Sequence, residues 1–146
     1  MTGNTLATGD IAVEDIGDPT TAPLPRAVPS YEQMVSRNSG LVSAEEQSSL
    51  LRATMLVAGC GSIGGAVVEP LVRLGAGHLV LAEPDVYEAH NLNRQAATVA
   101  DIGLNKADVL ACSARQVNPR CRVEVVPEGI TTQSLSLMSG CSGETA

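Results

Sequence analysis

A short apolar run, Thr54-Met55-Leu56-Val57-Ala58, leads directly into Gly59-Cys60-Gly61-Ser62-Ile63-Gly64. A helical pattern starts at once behind that loop. Few folds accept this order, because a buried strand that turns on glycine into a helix has to return beside itself through a crossover. The helix is expected over Ser62 to Leu74, where Ile63, Val67, Leu71 and Leu74 recur at helical spacing, with Pro70 removing one backbone hydrogen bond and Gly75 and Gly77 supplying the stop. Leu79-Val80-Leu81-Ala82 reads as a second strand ending at Glu83. A helix beginning at Asn105 or Lys106 follows, with Val109, Leu110 and Val117 facing inward and Asn118-Pro119 ending it. Arg122-Val123-Glu124-Val125-Val126 reads as a third strand closed by Pro127. Right-handed crossovers place the three strands in one parallel sheet, so the expected class is α/β: an incomplete Rossmann-like parallel sheet with flanking helices. Only two tyrosines supply aromatic volume, so the core has to be aliphatic, which suits parallel strands buried under helices on both faces.

Upstream, Tyr31 to Arg37 is expected as a short helix. Ser43 is expected to cap a second helix running to about Arg52, with Glu45 and Glu46 in its first turn and Leu50 and Leu51 facing inward. The expected organisation is a disordered tail over 1–29, rich in Thr, Gly, Pro and Asp, a nucleotide-binding domain over 30–132, and an irregular C-terminal tail over 133–146.

A net charge of -7 argues against a nucleic-acid partner, which needs a basic face, and the scarcity of aromatics argues against a stacking surface for single strands. Cys60, Cys112, Cys121 and Cys141 include no C-x-x-C pair, so reduced cysteines are expected. There is no basic segment followed by an apolar run at the N-terminus and no run long enough for a membrane span. A soluble, cytoplasmic protein without a membrane partner is the expectation.

The loop has chemistry as well as shape. Gly59 permits the tight turn, Gly61 lets a phosphate approach the backbone, and Gly64 with Gly65 lets the helix pack closely. The helix start offers N–H groups and a partial positive charge. Glu83, at the end of the second strand, is placed to accept from ribose hydroxyls. To this point a dinucleotide oxidoreductase using NAD or FAD and an ATP-using enzyme stay equally open. Asp85, Asn91, Arg94, Gln95 and Lys106 favour the second, because cations offset charge developing on a leaving pyrophosphate. Arg94 and Lys106 are thus the candidate catalytic residues. Lys106 is poorly placed for the helix dipole, a local misfit of the kind found at sites.

The run Gly59 to Gly64, Glu83-Pro84-Asp85, Asn91 to Gln95, Asp101-x-Gly103-x-x-Lys106 and Asn118-Pro119 resembles the ThiF/MoeB-type adenylyltransferases. These include the thiamine and molybdopterin sulfur-carrier activators and the ubiquitin-activating enzymes, and the resemblance covers roughly residues 31 to 132. It implies ATP-dependent adenylation, in which the C-terminal glycine carboxylate of a ubiquitin-like or sulfur-carrier protein attacks the α-phosphate, giving acyl-adenylate and pyrophosphate. It implies ATP and Mg2+ as cofactors, and a homodimer or pairing with a relative. By the same resemblance Glu83 takes the place of the ribose-binding acid, where the family usually has Asp. Asn91 and Arg94 match phosphate contacts, Lys106 matches the phosphate-binding lysine, and Asp85 matches the second acid of D-x-D. Arg37, in Ser36-Arg37-Asn38, resembles an N-terminal arginine that reaches the partner subunit's ATP.

The departures are specific. No Asp follows Asp108, so the family's magnesium aspartate has no counterpart, and Glu124, Glu128 and Glu144 do not follow an apolar strand in the right place. Nor is there a match to the later catalytic cysteine, the paired zinc cysteines or the carrier-binding half; Cys141 lies in a polar tail. The expectation is a C-terminally truncated domain that by itself binds ATP weakly or not at all and adenylates little. The alternatives are a non-catalytic module pairing with a complete relative, and an NAD- or FAD-dependent oxidoreductase.

Overall fold

The computed structural model describes residues 27–132 and Leu135. The expected tail over 1–29 lies almost wholly outside the described residues, as does that over 133–146.

The described elements run α1 (Tyr31–Val35), a 3-10 turn (Ser36–Asn38), α2 (Ala44–Arg52), β1 (Thr54–Ala58), α3 (Gly64–Leu74), β2 (His78–Ala82), two further 3-10 turns (Ala89–Asn91 and Val99–Asp101), α4 (Lys106–Val117) and β3 (Arg122–Val126). All three strands are parallel, in the order β1-β2-β3, with Thr54, His78 and Arg122 in register at one end and Ala58, Ala82 and Val126 at the other. This is the Rossmann-like parallel sheet that the strand–loop–helix order predicts.

Side-chain alternation splits the sheet. Met55, Val57, Leu79, Leu81, Val123 and Val125 point to one face, where they pack with Val68 and Val72 of α3 and Leu110, Ala111 and Ala114 of α4. The core is aliphatic, as the composition requires. Helices on both faces were the expectation, but α3 and α4 both pack against this one. Two successive right-handed crossovers that step the same way along a sheet leave their helices on the same side. The opposite face carries Leu56, Val80, Ala82 and Val126. At its start lies a polar group in which Thr54 Oγ1 meets His78 Nδ1 at 2.9 Å and Glu124 pairs with His78 and Arg122.

The inward face of α3 is not the one that its most regular apolar spacing suggests. Val68 and Val72 are buried and Leu71 packs at the core margin as expected, whereas Val67 and Leu74 are exposed and Ile63 is 85% exposed. The helix begins at Gly64, two residues later than expected. It ends as expected on Gly75 (φ 99°), with Gly75 N–H donating to Val72 O and Ala76 N–H to Leu71 O. Leu51 also differs from expectation, being exposed near the end of α2. In α4 Leu110 is buried, Val117 packs at the core margin and Val109 is half-buried.

α1 and α2 start on capping boxes, Ser30 with Gln33 and Ser43 with Glu46. Together they clamp the far end of α3. Tyr31 Oη donates to Gly75 O at 3.0 Å and accepts from Gln47 Nε2 at 2.7 Å, while Gln47 Nε2 and Asn38 Nδ2 both donate to Leu74 O. Tyr31→Phe removes a half-buried hydroxyl from this group, and a loss of about 1–2 kcal/mol is expected in urea unfolding at unchanged m-value.

Candidate functional site

The site lies at the C-terminal ends of β1 and β2, where ligands bind in open parallel sheets. Gly59 leaves β1 with φ 87°, a left-handed conformation that favours glycine, and its N–H donates to Ala82 O at 2.8 Å. A Cβ on Gly64 would collide with the Gly59 carbonyl oxygen, and one on Gly65 would press on the Cys60 carbonyl and Leu110. A Cβ on Gly61 would meet nothing within 4 Å. Gly61 therefore borders open space and Gly64 borders the loop itself.

Cys60 N–H is taken by Glu83 Oε2 at 2.7 Å, and Gly65 N–H by Gly61 O at 2.8 Å. The N–H groups of Gly61, Ser62, Ile63 and Gly64 bond no acceptor among the described residues, and Ile63, at the helix cap, offers no side-chain cap. Successive donors without acceptors at a helix start suit an anion such as a phosphate. The loop thus fits a nucleotide's phosphates.

Glu83 is buried, at 7% exposed, and its other carboxylate oxygen accepts from Asp85 N–H at 3.0 Å. Its main-chain carbonyl accepts from Asn105 Nδ2 at 2.8 Å, and Asn105 Oδ1 caps α4 through Ala107 and Asp108 N–H. Lys106 opens α4. Its side chain is only 8% exposed, yet its ammonium pairs at 3.3 Å with Asp85, whose side chain is 69% exposed. That pairing offsets the misfit of a cation at a helix N-terminus.

Arg94 and Asn91 form a separate group. Asn91 is buried; its Oδ1 accepts from Glu88 N–H at 3.0 Å, and its carbonyl accepts from Arg94 and Gln95 N–H. Arg94 is exposed and donates to His90 O and Asn93 Oδ1. The structure thus joins Cys60, Glu83, Asp85, Asn105 and Lys106 in one network, and holds Asn91, Arg94 and Gln95 on a neighbouring turn. Arg37 belongs to neither. It is exposed on the clamp at the C-terminal end of α3, a helix length of about 16 Å from the loop that opens α3.

Two residues of this region carry no sequence signal of their role. Tyr87 is 1% exposed and its hydroxyl has no partner among the described residues, a condition shared by Gln95 Oε1. Burial first, and then Cys60, Asp101 and Glu83, push the Tyr87 phenol up. Asn105, the other, ties Glu83 to α4.

Cys60 is fully buried, and burial, reinforced by Glu83 and opposed by Lys106, raises its thiol to about 11. Cys112 is exposed. At pH 8 iodoacetamide is expected to label the exposed Cys112 and spare the buried Cys60, with Cys60 labelled only when the protein is unfolded, read by peptide mass spectrometry.

No described helix is long and apolar enough to cross a membrane. Among the described residues no group of three or more His, Cys, Asp or Glu side chains is arranged to hold a metal.

Residues 35–142 match the model of the ThiF family. The chain belongs to the ThiF family. Among its relatives, the tRNA threonylcarbamoyladenosine dehydratase of Escherichia coli (strain K12) is 39% identical over 58% of this ThiF-family chain and 32% of its own length. The sulfur carrier protein adenylyltransferase of Thermus thermophilus is 37% identical over 64% of this chain and 35% of its own. The solved structure of the E. coli dehydratase, TcdA, in complex with ATP superposes with a TM-score of 0.70 at 30% identity, covering 80% of this chain and 49% of that one. This ThiF-family chain therefore spans about a third of the length of those two sequence relatives and about half of the solved one.

Proposed function

We propose that this chain supplies the nucleotide side of an ATP-dependent adenylation site that acts on the C-terminal carboxylate of a ubiquitin-like or sulfur-carrier protein. The observation that carries this is the run of unaccepted N–H groups from Gly61 to Gly64 at the start of α3, in a member of a family that includes a sulfur carrier protein adenylyltransferase and a protein solved with ATP.

In this role Gly59, Gly61 and Gly64 shape the phosphate cradle, and Glu83 sits beside the ribose. Lys106 leaves Asp85 for a phosphate oxygen, and Arg94 swings from its turn toward the leaving group, anchored by Asn91. The substrate carboxylate oxygen forms a bond to the α-phosphorus. The bond from that phosphorus to the bridging oxygen breaks, and pyrophosphate leaves with the electron pair. Dispersed positive charge around those phosphates lowers the barrier. The carboxylate-binding side is not assigned to residues of this chain. Magnesium would arrive with the triphosphate.

Arg37 lies too far along α3 to serve its own loop, so a role at ATP requires a second copy or a relative, which supports a homodimer or paired assembly. The domain boundaries proposed are 30–132, flanked by two tails.

The test is calorimetric titration with Mg-ATP, followed by pyrophosphate exchange with a ubiquitin-fold carrier ending in Gly-Gly. Binding with carrier-dependent exchange, in the chain alone or with a complete relative, supports the proposal. Binding without exchange in either setting favours a non-catalytic module, and absence of binding overturns the nucleotide site.

A further inference from the structure

The Asn105 carboxamide bonds in two directions. Its Oδ1 accepts from Ala107 N–H at 2.9 Å and Asp108 N–H at 3.3 Å, while its Nδ2 donates to the Glu83 carbonyl at 2.8 Å. One half caps α4 and the other reaches the residue that follows β2. The next residue along is Lys106, the single lysine of the sequence, with a side chain 8% exposed and an ammonium paired to Asp85. We propose that Asn105 is a positioning residue: by tying the start of α4 to the end of β2 it sets where the Lys106 ammonium stands, and with it the grip on a triphosphate. The last clause rests on the nucleotide site proposed above; the first does not.

The backbone shows why the tie matters. Residues 103–106 run antiparallel to 85–87, with Lys106 N–H donating to Asp85 O, Tyr87 N–H to Leu104 O and Gly103 N–H to Tyr87 O. These bonds fix Lys106 relative to Asp85. Both segments lie beyond the sheet, however, and Pro84, between β2 and Asp85, has no N–H with which to extend the ladder. Two side-chain bonds moor the pair to the end of β2. Asp85 N–H donates to Glu83 Oε1 at 3.0 Å, and Asn105 Nδ2 donates to Glu83 O. Only the second is made by the segment that carries Lys106. Capping alone does not require it, because serine supplies a capping oxygen equally well but has no amide to reach Glu83.

Asn105→Ser therefore keeps the cap and removes the tie, and two measurements read the consequence. The first uses the ligand-free chain, in which Lys106 carries the only side-chain amine. It is acetylated with a water-soluble N-hydroxysuccinimide ester and followed by mass spectrometry, with the N-terminal amine as reference. Lys106 is expected to react at least about fivefold faster in N105S than in wild type, since the start of α4 opens more often. Equal rates overturn the positioning role. If N105S does not fold, N105T keeps a capping hydroxyl and carries the same measurements.

The second is titration with Mg-ATP into the millimolar range, by ligand-observed NMR, of wild type, N105S, K106M and the double variant. N105S is expected to weaken binding about fivefold in the wild-type background and less than about twofold in K106M, where no ammonium is left to place. An equal loss in both backgrounds, or no loss in either, shows that Asn105 does not act through Lys106 and overturns the proposal. If the wild-type chain binds no nucleotide, the proposed function fails, while the acetylation rates still decide whether Asn105 sets Lys106.

Discussion

Gly64→Ala is expected to cost about 3 kcal/mol or more and to lower the thermal midpoint by roughly 10 °C or more. The added methyl would collide with the Gly59 carbonyl oxygen and press on Val57 at 3.2 Å. The obstacle cannot retreat cheaply. Gly59 is held at φ 87° and is tied by its N–H to Ala82 O on the neighbouring strand. Relief requires moving either the end of β1 or the first turn of α3, and both border the core. Gly61→Ala is the control: its methyl enters open space, so stability within about 0.5 kcal/mol of wild type is expected. Circular dichroism melts of the two variants distinguish a crowded loop from a generally intolerant one. Equal midpoints would mean that the close approach at Gly64 does not constrain the fold.

Lys106→Met is expected to lower affinity for Mg-ATP by at least about tenfold while changing stability by less than about 1 kcal/mol. The asymmetry follows from where the two partners sit. The Lys106 side chain is almost fully buried, and methionine can fill most of that volume. Asp85 is mostly in water, so losing its partner leaves no buried uncompensated charge. In the proposed ATP site, by contrast, the lysine would supply a cation at the start of α4, beside the Asp85 that it pairs with here. Calorimetric titration beside urea unfolding reads both quantities. Unchanged affinity would make Lys106 a structural partner of Asp85 and nothing more.

Much of the fold is written in local sequence. β1 and β3 match their apolar runs, α2 starts on the Ser43 cap, and α3 stops on Gly75, because each signal acts on its own few residues. The face of α3 is another matter. It carries two apolar stripes at helical spacing, Ile63–Val67–Leu71–Leu74 and Val68–Val72, and periodicity cannot rank them. Packing against α4 and the sheet buries the second and takes in only Leu71 of the first. The sidedness of the sheet was likewise hidden, since apolar runs show that strands are covered and not by what.

The site divides in the same way. The tight turn at Gly59 and the close approach at Gly64 follow from their order after a strand, and Gly61 borders open space. The bonds from Glu83 to Cys60 and from Lys106 to Asp85 join residues about twenty apart, and no local signal encodes them. Tyr87 has no local signal either: a lone aromatic beside a loop reads as core, and only the fold shows its buried hydroxyl without a partner among the described residues.

Thermal unfolding of the purified chain, with Mg-ATP and separately with NAD, tests the central claim most directly. A ligand present at about a hundred times its Kd adds roughly 2.7 kcal/mol to stability, enough to move the midpoint by several degrees. The chain is expected to bind weakly, so both nucleotides are raised into the range of about a millimolar or more, and a cooperative transition raised by Mg-ATP and unmoved by NAD is the expected result. A transition raised by NAD alone, or by neither, would contradict an ATP site in this chain.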